Sequence, residues 1–320
     1  MTIFKLEPTF HQRLWAGTTL TNFIDLPKNL HQIGEVWLAS AHPHGESFAI
    51  SLKQTEQAFF RQPLSQLWQH HQGLFQPAET TSRPFPLLIK LLSTAQNLSV
   101  QVHPTQAKSP EALGKTEAWY ILAAEPDSEI FLGHHHLTKA QLEQAARSQN
   151  WSRVLTTIPV QAGDFFFLPA GTIHSLGARI TALEIQESAD TTYRLFDFNR
   201  IDPVTQNKRD LQVQQGIDAI TLTQGQQQLN QKQELIEQAV VKTLVDQPPF
   251  TLNHWSVRGK SRLTCRQPFT LLVAVAGEID LNFNGQRLTL TAGTTLLLTP
   301  ENDYYYLSGH GEFFLAWPHS

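Results

Sequence analysis

A single cysteine, Cys265, stands in a chain of 320 residues. No disulfide can close within the chain, and a reducing compartment is permitted. No apolar run approaches the length of a membrane-spanning helix, and Met1 to Leu14 contains no apolar signal core. The expectation is a soluble, cytoplasmic protein with no membrane partner. Charge is also scarce, at 16% of residues, with 24 basic against 28 acidic and a net charge of -4. A chain without a basic excess is poorly suited to gripping nucleic acid, although a small anion needs only a local basic pocket. What remains is a 41% hydrophobic chain, long enough for one large domain or two of ordinary size. Fourteen histidines and seven tryptophans are many for this length, but a count assigns no role.

Proline and glycine cut the chain into short pieces. Residues 2–6, 35–40 and 46–50 read as strands among Pro8, Gly17, Pro27, Gly34, Pro43 and Gly45. Residues 59–72 place Leu64, Leu67 and Trp68 at helical spacing, and 87–92 form an apolar strand carrying Lys90. Strands are expected over 98–103, 115–124, 160–168 with a turn at Gly163-Asp164, 179–186 and 192–198. Residues 138–148 pattern as a helix with Thr138 as its N-cap. The glutamine-rich stretch 210–245 has few large apolar residues. It reads as a solvated connection and as the best boundary, with a short helix over 211–217 and a strand or helix over 235–240. Strands resume at 251–257, 269–276, 278–283, 286–290, 294–298 and 313–317. Ala162-Gly163-Asp164-Phe165-Phe166-Phe167-Leu168 resembles Ala292-Gly293-Thr294-Thr295-Leu296-Leu297-Leu298, each followed closely by proline. Two such modules suggest duplicated β-barrels or jelly rolls, of which the first kept its polar equipment.

The polar equipment is concentrated on a few strands. In residues 98–103, Val100 and Val102 face apolar packing, while Ser99, Gln101 and His103 share the other face. Glu117 lies on the next strand, and His174 follows the turn from Pro169 to Ile173. Two imidazoles, a carboxylate and an amide oxygen make a mixed N/O donor set that suits zinc, manganese, iron or nickel. Lys115 lies two residues before Glu117 and so points into the same interior, with Lys90 and Arg194 on neighbouring strands. Buried cations need a partner or an anion, and the guanidinium fork fits phosphate. Salt bridges to Glu184, Glu187 or Asp190 are the plainer alternative. Glu184 and Gln186 share one strand face, with Leu183 and Ile185 opposite. Glu184 has the chemistry to move protons, to orient a ligand or to neutralise a cation.

Several stretches in this order resemble type I mannose-6-phosphate isomerases, the zinc-dependent phosphomannose isomerases of the cupin superfamily. They are Ile33-Gly34-Glu35-Val36-Trp37 with Ser40-Ala41-His42-Pro43, the strand Leu98 to Pro104, Gly114-Lys115-Thr116-Glu117-Ala118-Trp119-Tyr120, Leu168 to His174, and Leu183 to Ser188 through Thr192-Tyr193-Arg194. Ala118 stands where bacterial relatives often carry cysteine, and Glu35-Val36-Trp37-Leu38 replaces a more usual Glu-Ser-Trp-Glu pattern. The resemblance implies one zinc ion held by Gln101, His103, Glu117 and His174. It implies Arg194 as a catalytic-site residue, with Lys90, Ser99, Lys115 and Glu184 lining the pocket. It implies a mainly β fold of two cupin barrels with a small helical insertion, divided at 1–240 and 241–320. The implied reaction interconverts D-mannose 6-phosphate and D-fructose 6-phosphate through an enediol(ate), with Glu184 or a metal-bound water as the base. The expected partner is a small sugar phosphate, on a monomer or weak homo-oligomer. A sugar-phosphate-binding cupin without catalysis would have lost a metal ligand, and all four donors are present. Another metal-cupin reaction, such as a dioxygenase, would be separated by its metal.

Overall fold

The computed structural model describes residues 2–52, 61–75, 83–135, 137–202, 205–221, 229–266, 268–283, 285–300 and 304–319. The fold is mainly β because most strands alternate two kinds of side chain, and both kinds find apolar or paired surroundings. Numbered in chain order, a six-stranded sheet contains β2 (Thr9–Gln12), β3 (Ile33–Ala39), β6 (Leu87–Ser93), β8 (Glu117–Ala124), β11 (Phe165–Leu168) and β13 (Ile180–Glu187). A five-stranded sheet contains β7 (Val100–Val102), β9 (Glu129–His134), β10 (Leu155–Pro159), β12 (His174–Ser175) and β14 (Tyr193–Phe196). A ten-stranded sheet holds β1 (Ile3–Glu7), β4 (Phe48–Ser51), β5 (Gln62–Pro63), β15 (Lys232–Ile236), β16 (Ala239–Gln247), β17 (Phe250–Leu263), β18 (Thr270–Phe283), β19 (Gln286–Leu290), β20 (Thr295–Leu298) and β21 (Tyr305–Pro318). Each strand order is an open path, so no single sheet closes on itself as a barrel.

Four apolar cores fix how the sheets stack. Trp119, Ile121, Leu132, Phe166, Leu176 and Ala182 pack between the six- and five-stranded sheets. The opposite face of the six-stranded sheet, with Val36, Ile89, Leu91, Leu183 and Ile185, packs against Phe250, Leu271, Val273 and Phe314 of the ten-stranded sheet. The other face of that sheet, with Leu272, Ala274, Leu296 and Phe313, meets, among the described residues, those of the same sheet and its loops, so the sheet curls over its own core. Helices α2 (Lys139–Ser148) and α3 (Val213–Ala219) cover the outer face of the five-stranded sheet through Leu142, Ala145 and Ile217. The Thr138 hydroxyl accepts the Gln141 N–H at the start of α2, and Gln141 reciprocates, so the expected cap is a full capping box.

Several expected elements have different limits. The helix expected over 59–72 is α1 (Leu64–His70); residues 59 and 60 lie outside the described residues. Pro63 sets its start, since proline keeps the residue before it out of the helical region. The strand expected over 160–168 is shortened to β11, and the turn at Gly163 carries the chain to it from β10 in the other sheet. The two strands expected at 269–276 and 278–283 are one, β18, bulged between Ala274 and Ala276, just before Gly277, which has φ +74°. A Cβ there would lie 2.2 Å from the His310 carbonyl oxygen, so the position admits only glycine without distortion. The solvated connection expected over 210–245 is a correction. Residues 222–228 lie outside the described residues and β15 is largely exposed, but α3 buries Gly216, Ile217 and Ala219, and β16 buries Ala239, Val241 and Leu244. The glutamines hid an apolar alternation that belongs to the ten-stranded sheet. The two similar segments do correspond: Gly163 and Gly293 both have positive φ, and each leads into a fully buried strand, β11 and β20.

Trp68 of α1 packs with Phe75, Phe85 and Phe269, the last entering β18, in one aromatic cluster. Phe269 is fully buried and stacks on Phe85 at 4.7 Å. Phe269→Ala is expected to cost about 3–5 kcal/mol, read as a lower urea midpoint. A cost below about 1 kcal/mol would mean that this aromatic seam does not hold the sheets together.

Candidate metal centre and its cavity

Register in the six-stranded sheet places Trp37, Lys90, Glu184 and Trp119 side by side on adjacent strands β3, β6, β13 and β8. Cross-strand neighbours share a face, and this face looks toward the five-stranded sheet. The row is internally bonded. Lys90 Nζ lies 3.2 Å from Glu184 Oε1 and 4.8 Å from the Trp37 ring centre. Trp119 Nε1 donates to Glu184 Oε2 at 2.9 Å. For Lys90, the salt-bridge alternative is therefore what the chain adopts in this structure. Both Glu184 oxygens are engaged, and its carboxylate is fixed in orientation.

The five-stranded sheet brings the imidazoles to the same gap. His174 pairs with Gln101 across β12 and β7, and His103 follows β7. His103 Nδ1 donates to the Thr191 carbonyl at 3.0 Å, and His174 Nδ1 to the Thr172 carbonyl at 2.8 Å. Each ring is thus left with its Nε2 lone pair facing inward. The two Nε2 atoms lie 3.3 Å from opposite oxygens of Glu117, which enters from β8 in the facing sheet. All three residues are buried, and one ligand atom from each lies within 4.8 Å of the others. Glu117 Oε1 is buried and makes no hydrogen bond. Lys115 Nζ sits among these donors, 2.9 Å from His103 Nε2 and 2.8 Å from Glu117 Oε2. Two inward lone pairs and a half-bonded carboxylate around a cation are a donor set that fits a divalent metal. Gln101 presents its amide N–H to His174 Nε2 at 3.2 Å, and Ser99 donates to its oxygen at 3.2 Å. A half-turn of the amide exchanges the two groups.

Burial, reinforced by the Lys115 charge, lowers the His103 pKa to about 4. Burial opposes ionisation of Glu117, but Lys115 and then the histidines hold its pKa well below the ordinary range. An unfolded histidine titrates near 6.5. Between the two values the unfolded chain binds more protons, so stability rises with pH there and is lost as pH falls from about 6.5 toward about 4. Glu117 adds to the loss below its unfolded value near 4.5. The chelator-stripped chain is expected to lose on the order of 3 kcal/mol over this acid range, measured by urea unfolding. Stability that stays flat between pH 6.5 and 4 would show that these groups are not buried as described.

The gap opens into a cavity of about 450 Å³ lined largely by polar groups. Ser99, Gln101, Lys115, Lys90, Glu184 and Arg194 all reach it; Gln101 and Lys115 also touch the His103, Glu117 and His174 cluster, so the cavity borders the metal centre. Arg194 differs from the lysines. Among the described residues it makes no ion pair; one Nη donates to the Asp210 carbonyl at 3.1 Å, and Nε is buried without a partner. The nearby Asp197 is already taken by Arg200 and Arg209, the latter through Nε at 2.8 Å. Burial and then repulsion by Arg209 lower the Arg194 pKa, the signature of a cation lacking an anion.

Sequence reasoning passed over two other members of the wall. Arg13 Nε donates to Glu35 at 2.8 Å, and Trp37 Nε1 donates to the same carboxylate at 2.8 Å. Burial opposes ionisation of Glu35, yet Lys90 and Arg13 bring its pKa down to about 2. Glu35 and Trp37 alternate on β3, a signal that could have marked them. Arg13 sits in an irregular turn and carries no periodic signal.

Comparisons with known proteins point the same way. A model of the type I phosphomannose isomerase catalytic domain matches residues 3–148, and one of the mannose-6-phosphate isomerase cupin domain matches residues 240–318. The mannose-6-phosphate isomerase ManA of Bacillus subtilis is 36% identical over 315 residues, 97% of each chain. That of Streptococcus mutans is 36% identical over 297 residues, 92% of this chain and 91% of its own. The crystal structure of the mannose 6-phosphate isomerase from Bacillus subtilis has a TM-score of 0.90 at 26% identity, over 99% of this chain and 100% of that one. With the fold and the sequence relatives in agreement along nearly its whole length, and a domain model matching at each end, the chain belongs to the type I phosphomannose isomerase family.

Proposed function

We propose that the chain is a zinc-dependent aldose-ketose isomerase that interconverts D-mannose 6-phosphate and D-fructose 6-phosphate through a cis-enediol(ate). The observation that carries this reading is the His103, Glu117 and His174 donor cluster, joined through Gln101 and Lys115 to a cavity that also holds the Lys90–Glu184 pair and an unpaired Arg194. Gln101, His103, Glu117 and His174 hold one zinc ion, which supplies a positive centre that favours charge on a sugar oxygen. Glu184, steadied by Lys90 and Trp119, takes the proton from one sugar carbon and returns it to the neighbouring one. Lys115 places a second positive charge beside the reacting oxygens. Arg194 binds the anionic substrate, and Lys90 and Ser99 line its path. Anchoring the phosphate away from the reacting carbons converts binding into orientation.

The same reading makes the chain two cupin jelly rolls, a catalytic unit over 1–240 and a metal-free unit over 241–320, the second supported by the cupin-domain match. It acts as a cytoplasmic monomer or weak homo-oligomer on a small sugar phosphate, without a nucleic acid or membrane partner. Among the described residues, no helix is long and apolar enough to cross a membrane. The test is a coupled assay of fructose 6-phosphate formation before chelation, after it and after zinc is restored. Activity lost and regained supports the reaction and its metal. Full activity in the stripped chain removes the metal from the mechanism, and none with zinc bound removes the substrate assignment.

A further inference from the structure

The cations of the cavity wall are unequally matched by carboxylates. Arg13 is paired with Glu35, Lys90 with Glu184 and Lys115 with Glu117. The remaining two, Arg194 and Arg209, are neighbours: after burial, the Arg209 charge does most to lower the Arg194 pKa. Among the described residues, ion pairs give Arg194, Arg200 and Arg209 one carboxylate in all, that of Asp197. Asp202 shares the wall, but its Oδ1 accepts the Thr205 N–H at 3.1 Å within its own turn. Asp210 is an exposed residue that turns its carbonyl to Arg194 at 3.1 Å.

Arg209 is divided between the protein and the cavity. Its Nε donates to Asp197 Oδ2 at 2.8 Å and its Nη2 to Oδ1 at 2.5 Å, a two-pronged contact that fixes the guanidinium plane. A guanidinium carries five N–H donors, so the pair on Nη1 stays unspent on a side chain that lines the cavity. Arg200 is the contrast. Its Nη2 also meets Asp197, its Nε donates to the Asp197 carbonyl at 3.3 Å, and its Nη1 donates to the Asn97 carbonyl at 2.5 Å. All three of its nitrogens are spent on protein. Arg194 keeps more, with Nη1 on the Asp210 carbonyl and Nε buried without a partner. Two residues of the wall therefore hold guanidinium donors that no protein group uses.

A phosphate monoester carries about -1.5 to -2 charges at pH 7 and three strong acceptor oxygens. One guanidinium balances only part of that charge. Asp197 cancels one of the two arginines that share it, which leaves a positive charge here beside that of Arg194. We infer that Arg209 is a second phosphate-binding residue, closing with Arg194 on the substrate's phosphate, and that it sets the preference for a phosphorylated over an unphosphorylated sugar. The inference rests on the sugar-phosphate isomerase reading for the identity of its ligand. Asp197 holds the Arg209 fork still, so less ordering is left to be done when the anion arrives.

The experiment uses the full-length, zinc-loaded chain and its Arg209→Gln variant, with a urea curve to show that the variant is folded. Calorimetric titration with D-fructose 6-phosphate gives Kd, and kcat and KM are measured for mannose 6-phosphate and for unphosphorylated mannose. Arg209→Gln is expected to raise the Kd and the mannose 6-phosphate KM by about tenfold or more, through the loss of charge-assisted hydrogen bonds. The ratio of kcat/KM for mannose 6-phosphate to that for mannose falls by the same factor, and bound zinc stays at the parent level. Arg209→Lys keeps an ion pair with Asp197 but loses the fork, and recovers only part of the ratio. If Arg209→Gln does not fold, the lysine variant carries the test, and a parent-like Kd and KM there overturns the proposal. A parent-like Kd and KM in folded Arg209→Gln likewise overturns it and leaves the isomerase reading intact. Equal losses on both sugars also overturn it, because a guanidinium that only braces Asp197 does not tell them apart. A parent that binds fructose 6-phosphate through Arg209 but turns over neither sugar upholds the site and removes the isomerase reading.

Discussion

His174→Ala is expected to leave the chain without bound zinc after mild dialysis and to lower turnover by on the order of a thousandfold or more, about 4 kcal/mol of barrier. The size follows from the geometry. His174 supplies one of two inward lone pairs, and its loss leaves Glu117 Oε1 buried beside an empty space rather than a donor. It also removes the ring against which the Trp119 edge packs at 5.4 Å, so the neighbour that steadies Glu184 loses its own support. Metal content by atomic absorption and turnover by the coupled assay are measured on one preparation, with a urea curve to show that the fold is intact. A folded variant with normal zinc and normal turnover would remove His174 from the site. His103→Ala should behave in the same way, since its Nε2 faces the other Glu117 oxygen.

Arg194→Ala is expected to do the opposite to the metal and nearly the same to the rate. Zinc content should be unchanged, because Arg194 meets Gln101 as its backbone register partner across β14 and β7, a pairing that alanine keeps, while kcat/KM falls by about a hundredfold or more. Arg194 is the cavity cation whose charge no carboxylate meets among the described residues, with Asp197 already occupied by Arg200 and Arg209. A substrate anion is the partner the site lacks. Arg194→Lys keeps the charge but loses the fork, and should recover only part of the activity. Wild-type kcat/KM in Arg194→Ala would reduce the residue to a link between β14 and the segment carrying Asp210.

These effects could be argued from the sequence because the strands that carry the site alternate cleanly. Glu184 and Gln186 face one way and Leu183 and Ile185 the other, as the two-residue period requires. The same period separates Gln101 from Val100 and Val102. What alternation cannot give is the neighbour across a strand. That Lys90 stands beside Glu184, and Trp37 beside Lys90, is set by register between segments far apart in the chain. The Arg13–Glu35 pair was hidden for the same reason, one partner lying in a turn. The glutamine-rich region misled differently: composition described residues around 224–228, and the packed strand Ala239–Gln247 was read in their light.

Strand β1 carries a consequence for how the chain is made. Phe4 is the register partner of Leu297, and the first strand lies between β20 and β4 in the sheet that β21 completes. A ribosome releases the first strand long before its neighbour exists. During most of synthesis Ile3, Phe4 and Leu6, all buried in the finished protein, are apolar residues on an open edge. Closing that edge is a contact of the longest range, the kind that slows folding and leaves intermediates prone to association. The earliest strand to emerge is thus among the last to find its place, and truncation at the far end of the chain would strand it.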